Sequence, residues 1–169
     1  MKTFVVILMI TIGILLSNCS DTTGPSPVDN PNGVVSQSNG LYKMTSNTAR
    51  FSDGYIYYDL QISNLSDKDT IFPAPDEEKT SPTTRVFNDS SSEVLIWGYS
   101  IGFFENIFGV EYILPNQTVT AKNLKLDFDY WFKQMPMVSG HLEITFTTRV
   151  EPGSRLHSLK LVVPWKKVG

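Results

Sequence analysis

The sequence holds a single cysteine, Cys19, two histidines, and no adjacent basic pair except Lys166 with Lys167. One thiol excludes an internal disulfide and a multi-cysteine metal cluster. His141 and His157 stand 16 positions apart (157 minus 141) and the His-Glu-x-x-His spacing is missing, so neither a metal nor a cofactor is expected. A net charge of -3 with no basic run removes the electrostatic footing for nucleic-acid binding. Long runs of helical periodicity are scarce as well. Only residues 99–108 and 130–135 offer a turn or two, too little to build a layer.

The one long apolar run covers residues 4–16, broken by Thr11 and Gly13 and preceded by Lys2. A positive residue, a short apolar stretch and small polar residues make the pattern of a secretory signal segment over 1–18. The run falls short of the about 20 apolar residues that a membrane-crossing helix needs. It ends in Leu16-Ser17-Asn18-Cys19, which resembles the lipobox of bacterial lipoproteins, with leucine and a small residue three and two places before the cysteine. Asn18 stands where glycine, alanine or serine is usual. The resemblance implies cleavage before Cys19 and a diacylglycerol on its sulfur, making the membrane the first partner. Each buried methylene contributes about 0.8 kcal/mol, so several chains hold durably where one does not. Ser20, rather than aspartate, after the cysteine favours the outer over the inner membrane under the sorting rule of enteric lipoproteins. The expected location is the cell envelope.

Residues 19–40 follow as the lipidated cysteine and a linker rich in Ser, Thr, Pro, Gly, Asn and Asp, with Pro25, Pro27 and Pro31 opposing regular structure. A flexible coil of this length reaches roughly 25 Å.

Residues 41–169 change character. Ile56, Tyr58, Leu60 and Ile62 alternate with Tyr57, Asp59 and Gln61, the period of a half-buried strand. The same alternation recurs at 124–128, 142–146 and 159–163. Residues 85–87 and 93–99 flank Asn88-Asp89-Ser90-Ser91-Ser92, whose short side chains favour a hairpin turn. Seven or more short strands predict an all-β domain, an immunoglobulin-like antiparallel β-sandwich, with a barrel as the alternative. Three Asn-x-Ser/Thr triplets, at Asn64, Asn88 and Asn116, read as turn chemistry.

Several segments, in order, resemble the BsuPI intracellular proteinase inhibitor family: Asn64-Leu65-Ser66-Asp67 with the residues to Phe72, Arg85-Val86-Phe87, Ile96-Trp97-Gly98-Tyr99-Ser100, Phe103, and Leu114-Pro115-Asn116-Gln117-Thr118. Tyr99 replaces the family's second aromatic, and Asn116-Gln117 replaces its Gly-Glu. In bland terms Trp97 is a buried strand anchor, Asn64 a turn cap, and Pro115-Asn116 a turn that tolerates positive φ. The resemblance implies inhibition of a serine proteinase, although the family's founding role is intracellular and this chain carries an export signal.

An inhibitor must lay an exposed loop into an enzyme cleft. The candidate partner-binding loop holds Pro73, Pro75, Asp76, Glu77, Glu78 and Lys79, proline-stiffened and acidic. Its simpler reading is a solvated connector. Gly98-Tyr99-Ser100-Ile101-Gly102 matches the G-x-S-x-G pattern, with Asp127, Asp129, His141 and His157 following in hydrolase order. The alternating strands and helices of that fold are missing, and catalysis is not expected. Asp127 and Asp129, outward on one strand, read as a solvated face rather than a cation site. The sequence thus points to a tethered protein-binding module, with proteinase inhibition as its sharpest form. A structural envelope lipoprotein and, more weakly, a Ser100 hydrolase are the alternatives.

Overall fold

The computed structural model describes residues 33–74, 82–90, 93–94, 104–127 and 138–168. In chain order it has strands β1 (Val34–Ser38), β2 (Tyr42–Asn47), β3 (Ala49–Ser52), β4 (Tyr55–Asn64), β5 (Phe72–Pro73), β6 (Thr83–Asn88) and β7 (Glu93–Val94). A short helix α1 (Phe104–Phe108) precedes β8 (Thr118–Asp127), β9 (Ser139–Arg149) and β10 (His157–Lys167).

Side-chain alternation decides which face each strand buries. Along β4 the buried residues are Ile56, Tyr58, Leu60, Ile62 and Asn64. Along β9 they are Leu142, Ile144, Phe146 and Thr148, and along β10 Leu159, Leu161, Val163 and Trp165. A one-residue slip of any of these strands would move its whole apolar row into water, so the pattern fixes the register. In β8 the row is Val119, Ala121, then Leu124 and Leu126. The even step breaks at a bulge opposite Tyr58 to Leu60, where Asn123 takes a φ of 53°.

Strands β1, β2, β4 and β8 form one antiparallel layer, and β7, β6, β9 and β10 form the other, with β5 beside β9. The fold is all-β and sandwich-like, but the layers are not two separate antiparallel sheets as the alternation suggested. Strands β2 and β3 are two halves of one line interrupted at Thr48, both paired to the same edge of β4. The outer edge of β2 takes β1, whereas the outer edge of β3 takes β10 in parallel, Trp165 opposite Ala49 and Lys167 opposite Phe51. That pair makes the two layers one continuous mixed sheet.

The tether also ends earlier than composition suggested. Residues 34–38, assigned to the linker, lie in β1 and pair with β2 from Val34 opposite Asn47 to Ser38 opposite Lys43. No proline falls in this stretch, so β pairing is open to it. The hairpin expected around Asn88 is present, with Val86 opposite Val94. Residues 91–92, 95–103 and 128–137 lie outside the described residues, and with them Trp97, Ser100, Asp129 and the weak helical signal at 130–135.

Between the layers the core is closed by aromatic side chains. Tyr42 meets Phe146 edge-on at 5.3 Å, Phe104 of α1 stacks on Phe146 at 5.5 Å, and Phe51 contacts Trp165 at 6.0 Å. Each such fully buried side chain stabilises the fold by about 1.5–3 kcal/mol. Two tyrosine hydroxyls cross the interior: Tyr42 donates to the Phe146 carbonyl at 2.6 Å, and Tyr58 pairs with the Thr84 hydroxyl at 3.1 Å. Burial pushes both phenols well above the ordinary tyrosine pKa, so they stay protonated. The Trp165 indole lies over Gly140 and donates to the Phe87 carbonyl at 3.0 Å. A Cβ at Gly140 would sit 2.0 Å from that carbonyl oxygen, so only glycine admits the ring.

One buried polar group stands out against this economy. Thr148 is fully buried, and its hydroxyl has no partner among the described residues. An unsatisfied buried hydroxyl costs about 1–3 kcal/mol. Thr148→Val, of nearly equal volume, is expected to raise unfolding stability by about 1 kcal/mol. Denaturant unfolding should show a higher midpoint at unchanged slope, and a lower midpoint would mean that the hydroxyl is engaged.

Candidate functional site

At one end of the sandwich several loops converge, and a single carboxamide organises them. Asn64 closes β4 and is buried. The two N–H donors of its side-chain amide are shared among the carbonyls of Asp69 (2.7 Å), Ile113 (3.1 Å) and Leu114 (3.0 Å), while its oxygen accepts from the Ser66 amide at 3.0 Å. The segment 64–71 thereby wraps against 113–117, and the main-chain pair Ile71–Ile113 and the bond from Asn116 to the Ser66 carbonyl complete the seam. Ser66 adds a local clasp, its hydroxyl donating to the Asp69 carboxylate at 2.9 Å.

The second wall is a tight turn. Gln117 donates its amide to the Leu114 carbonyl at 3.0 Å, and Asn116 sits at φ 57° after Pro115. Proline followed by a residue at positive φ is the requirement of a type II turn. The Gln117 side chain returns a bond to the Leu114 amide at 2.8 Å. With its main chain bonded in this way, the turn projects apolar side chains outward. Leu114 is 49% exposed, Tyr112 42% and Leu65 45%. The Tyr112 ring rests on Phe72 at 5.8 Å.

Beside them lies an open cavity of about 320 Å³ lined by Val110, Glu111, Tyr112, Leu114 and Gln117. The cavity is open to water, rimmed by apolar side chains, and holds one carboxylate, that of Glu111. Sequence reasoning overlooked Leu65, Tyr112 and Leu114. The available signal was a large apolar residue inside a turn motif, as in Asn64-Leu65-Ser66 and Leu114-Pro115-Asn116.

The candidate loop is placed only at its root. Pro73 lies in β5 opposite Thr148, and the next amide, Ala74, bonds to the Thr147 carbonyl at 2.9 Å. Pro73 is thus a strand residue rather than a loop residue. Its missing N–H does no harm in a two-residue strand at the margin of the pairing. Pro75, Asp76, Glu77, Glu78 and Lys79 lie outside the described residues, as does Cys19.

The histidines are far apart. His157 opens β10 opposite Thr148, whereas His141 lies opposite Pro164 near the other end of the same ladder. Among the described residues no group of histidine, cysteine and carboxylate side chains could hold a metal. Asp127 is in β8 opposite Tyr55.

No family model, curated protein or solved structure matches the chain. Its function must therefore be argued from its own surfaces.

On the outer face of the second layer, His141 stacks on Phe87 at 4.7 Å and 5°, and the Arg85 guanidinium lies 5.1 Å from the same ring. Glu143 bridges Lys160 at 2.9 Å and Arg85 at 3.8 Å. Partial burial lowers the His141 pKa below the ordinary histidine value, Glu143 pulls it back upward, and Lys160 lowers it further. The unfolded chain therefore binds this proton more readily than the folded one. The stability contributed by neutral His141 is complete above its unfolded pKa of about 6.5 and declines as pH falls below it. An NMR titration should place the His141 midpoint below the ordinary histidine value of about 6.5, and His141→Gln should flatten the acid side of the stability profile. A His141 midpoint above that ordinary value would contradict the account.

Proposed function

We propose that this chain is an exported lipoprotein, anchored at Cys19, whose sandwich binds a protein partner through the Asn64-organised end. The carrying observation is the exposed pair Tyr112 and Leu114 lining an open cavity, with exposed Leu65 on the segment hydrogen-bonded to the same turn. Rigid loops lose little entropy on docking, so apolar area there converts efficiently into affinity.

The entry point of the tether supports this reading. Gly33, where the described chain begins, accepts a hydrogen bond from the Thr48 hydroxyl at 2.8 Å. From there β1 runs toward the turn at Asn39, whose amide bonds to the Tyr42 carbonyl near the Asn64 end. Five residues of strand separate the two places by about 17 Å. An anchor attached there leaves the apolar loops clear of the membrane.

The partner class follows from the resemblance to the BsuPI inhibitors: a serine proteinase of the envelope, met by the Asn64 end and the adjoining loop that leaves β5. An immunoglobulin-like topology and outer-membrane sorting from Ser20 belong to the same proposal.

Full chain purified from membranes should begin at Cys19 and carry acyl mass. Titrated against subtilisin-like and trypsin-like proteinases, it should give saturable, near-stoichiometric loss of activity while staying intact. Tyr112→Ala with Leu114→Ala should weaken that inhibition roughly tenfold or more. Degradation of the chain without inhibition would overturn the proteinase assignment, and an unmodified N-terminus elsewhere would overturn the anchor.

A further inference from the structure

The cations of this acidic chain are scattered in sequence and gathered in space. Lys125 of β8 is registered opposite Tyr57 of β4, Tyr57 opposite Arg50 of β3, and Arg50 opposite Lys166 of β10. Registered partners point to the same side of a sheet, so these four form one row across four strands, about 14 Å long. Lys125, Arg50 and Lys166 are all exposed. Lys43 and Lys122 share the face, also exposed, and Asp59 is an acid on it. The Asp59 carboxylate is already bonded to the Asn47 side chain and the Asn123 amide.

The aromatic content of this face is equally specific. The Lys125 ammonium stands 3.5 Å above the Tyr55 ring, and the Arg50 guanidinium lies 5.5 Å from the Tyr57 ring. Tyrosine beside lysine and arginine is the side-chain chemistry of the membrane headgroup region. Elsewhere the charges are organised otherwise: Arg85 and Lys160 are bridged by Glu143, and the charged residue lining the cavity is Glu111.

We propose that the outer face of β8, β4, β3 and β10 rests on the anionic headgroups of the membrane that holds the chain, an inference that depends on the anchor at Cys19. Tether length and entry point argue for this occupant. With β1 starting at Val34, only residues 20–33 separate Cys19 from the domain. A Ser-, Thr- and Pro-rich stretch of that length spans roughly 20 Å. It delivers the chain at Gly33 beside Thr48, between the Asn47–Asp59 row and the Arg50 row of this same face. At that root-mean-square span the tether holds the domain close to the bilayer, and the face next to the tether is the basic, tyrosine-bearing one. Anionic lipid attracts such clusters, and salt screens the attraction.

The test uses full, lipid-bearing chain inserted into vesicles of phosphatidylcholine alone or mixed with phosphatidylglycerol, with acylation of each lysine read by mass spectrometry. Lys122, Lys125 and Lys166 should react several-fold more slowly on the anionic vesicles, high salt should restore them, and Lys68 and Lys160 should not change. Arg50→Glu with Lys43→Glu should abolish the protection of Lys125 and Lys166 while the protein still sediments with vesicles. Equal labelling on both vesicle types, with the protein sedimenting, overturns the proposal and leaves the anchor standing. If the full chain sediments no better than Cys19→Ala, the anchor has failed and the proposal falls with it.

Discussion

The side-chain amide of Asn64 is the constraint on which the candidate site depends. It ends a strand that pairs on both edges, and its three carbonyl acceptors belong to two loops distant in sequence. Without a donor at that point, the carbonyls of residues 69, 113 and 114 would lose a hydrogen bond together, those of Ile113 and Leu114 keeping only their main-chain bonds from Ile71 and Gln117. Each bond lost costs about 1 kcal/mol. The satisfied node lets the neighbouring turn place Tyr112 and Leu114 in water without melting, because its own backbone is bonded first.

A second constraint governs the body of the domain. The Tyr42 hydroxyl reaches across to β9, and β3 hands the first layer on to β10. Together they hold the layers in one relation, so that the apolar end and the basic face are fixed with respect to each other. The same junction aligns Arg50 with Lys166, two residues 116 positions apart (166 minus 50).

Much of the fold was legible in the residues. The alternation at 56–62, 142–146 and 159–163 is dominated by burial, and local pattern suffices to assign those strands. The turn chemistry of Asn64, Asn88 and Pro115-Asn116 was equally local, and each sits where a strand or turn ends. What escaped was non-local. Val34 to Ser38 are unremarkable in composition and become a strand only because β2 offers a free edge. The parallel β3–β10 pair joins segments with no sequence signal in common. The basic row was invisible because only register, not adjacency, brings Lys125, Arg50 and Lys166 together. The apolar end was half legible: its turn motifs could be read, but the outward direction of Leu114 and Tyr112 depends on bonds made by a strand fifty residues away.

Hydrogen exchange on Asn64→Ala tests the central claim most directly. Loss of about three hydrogen bonds at roughly 1 kcal/mol each corresponds to about a hundredfold loss of protection. That loss should fall on the amides of Ser66, Ile71, Ile113 and Asn116, while Leu142, Ile144 and Leu161 in the other layer keep theirs. Unchanged protection at the four amides, or an equal loss throughout both layers, would contradict the view that this one side chain holds the loops at this end of the sandwich together.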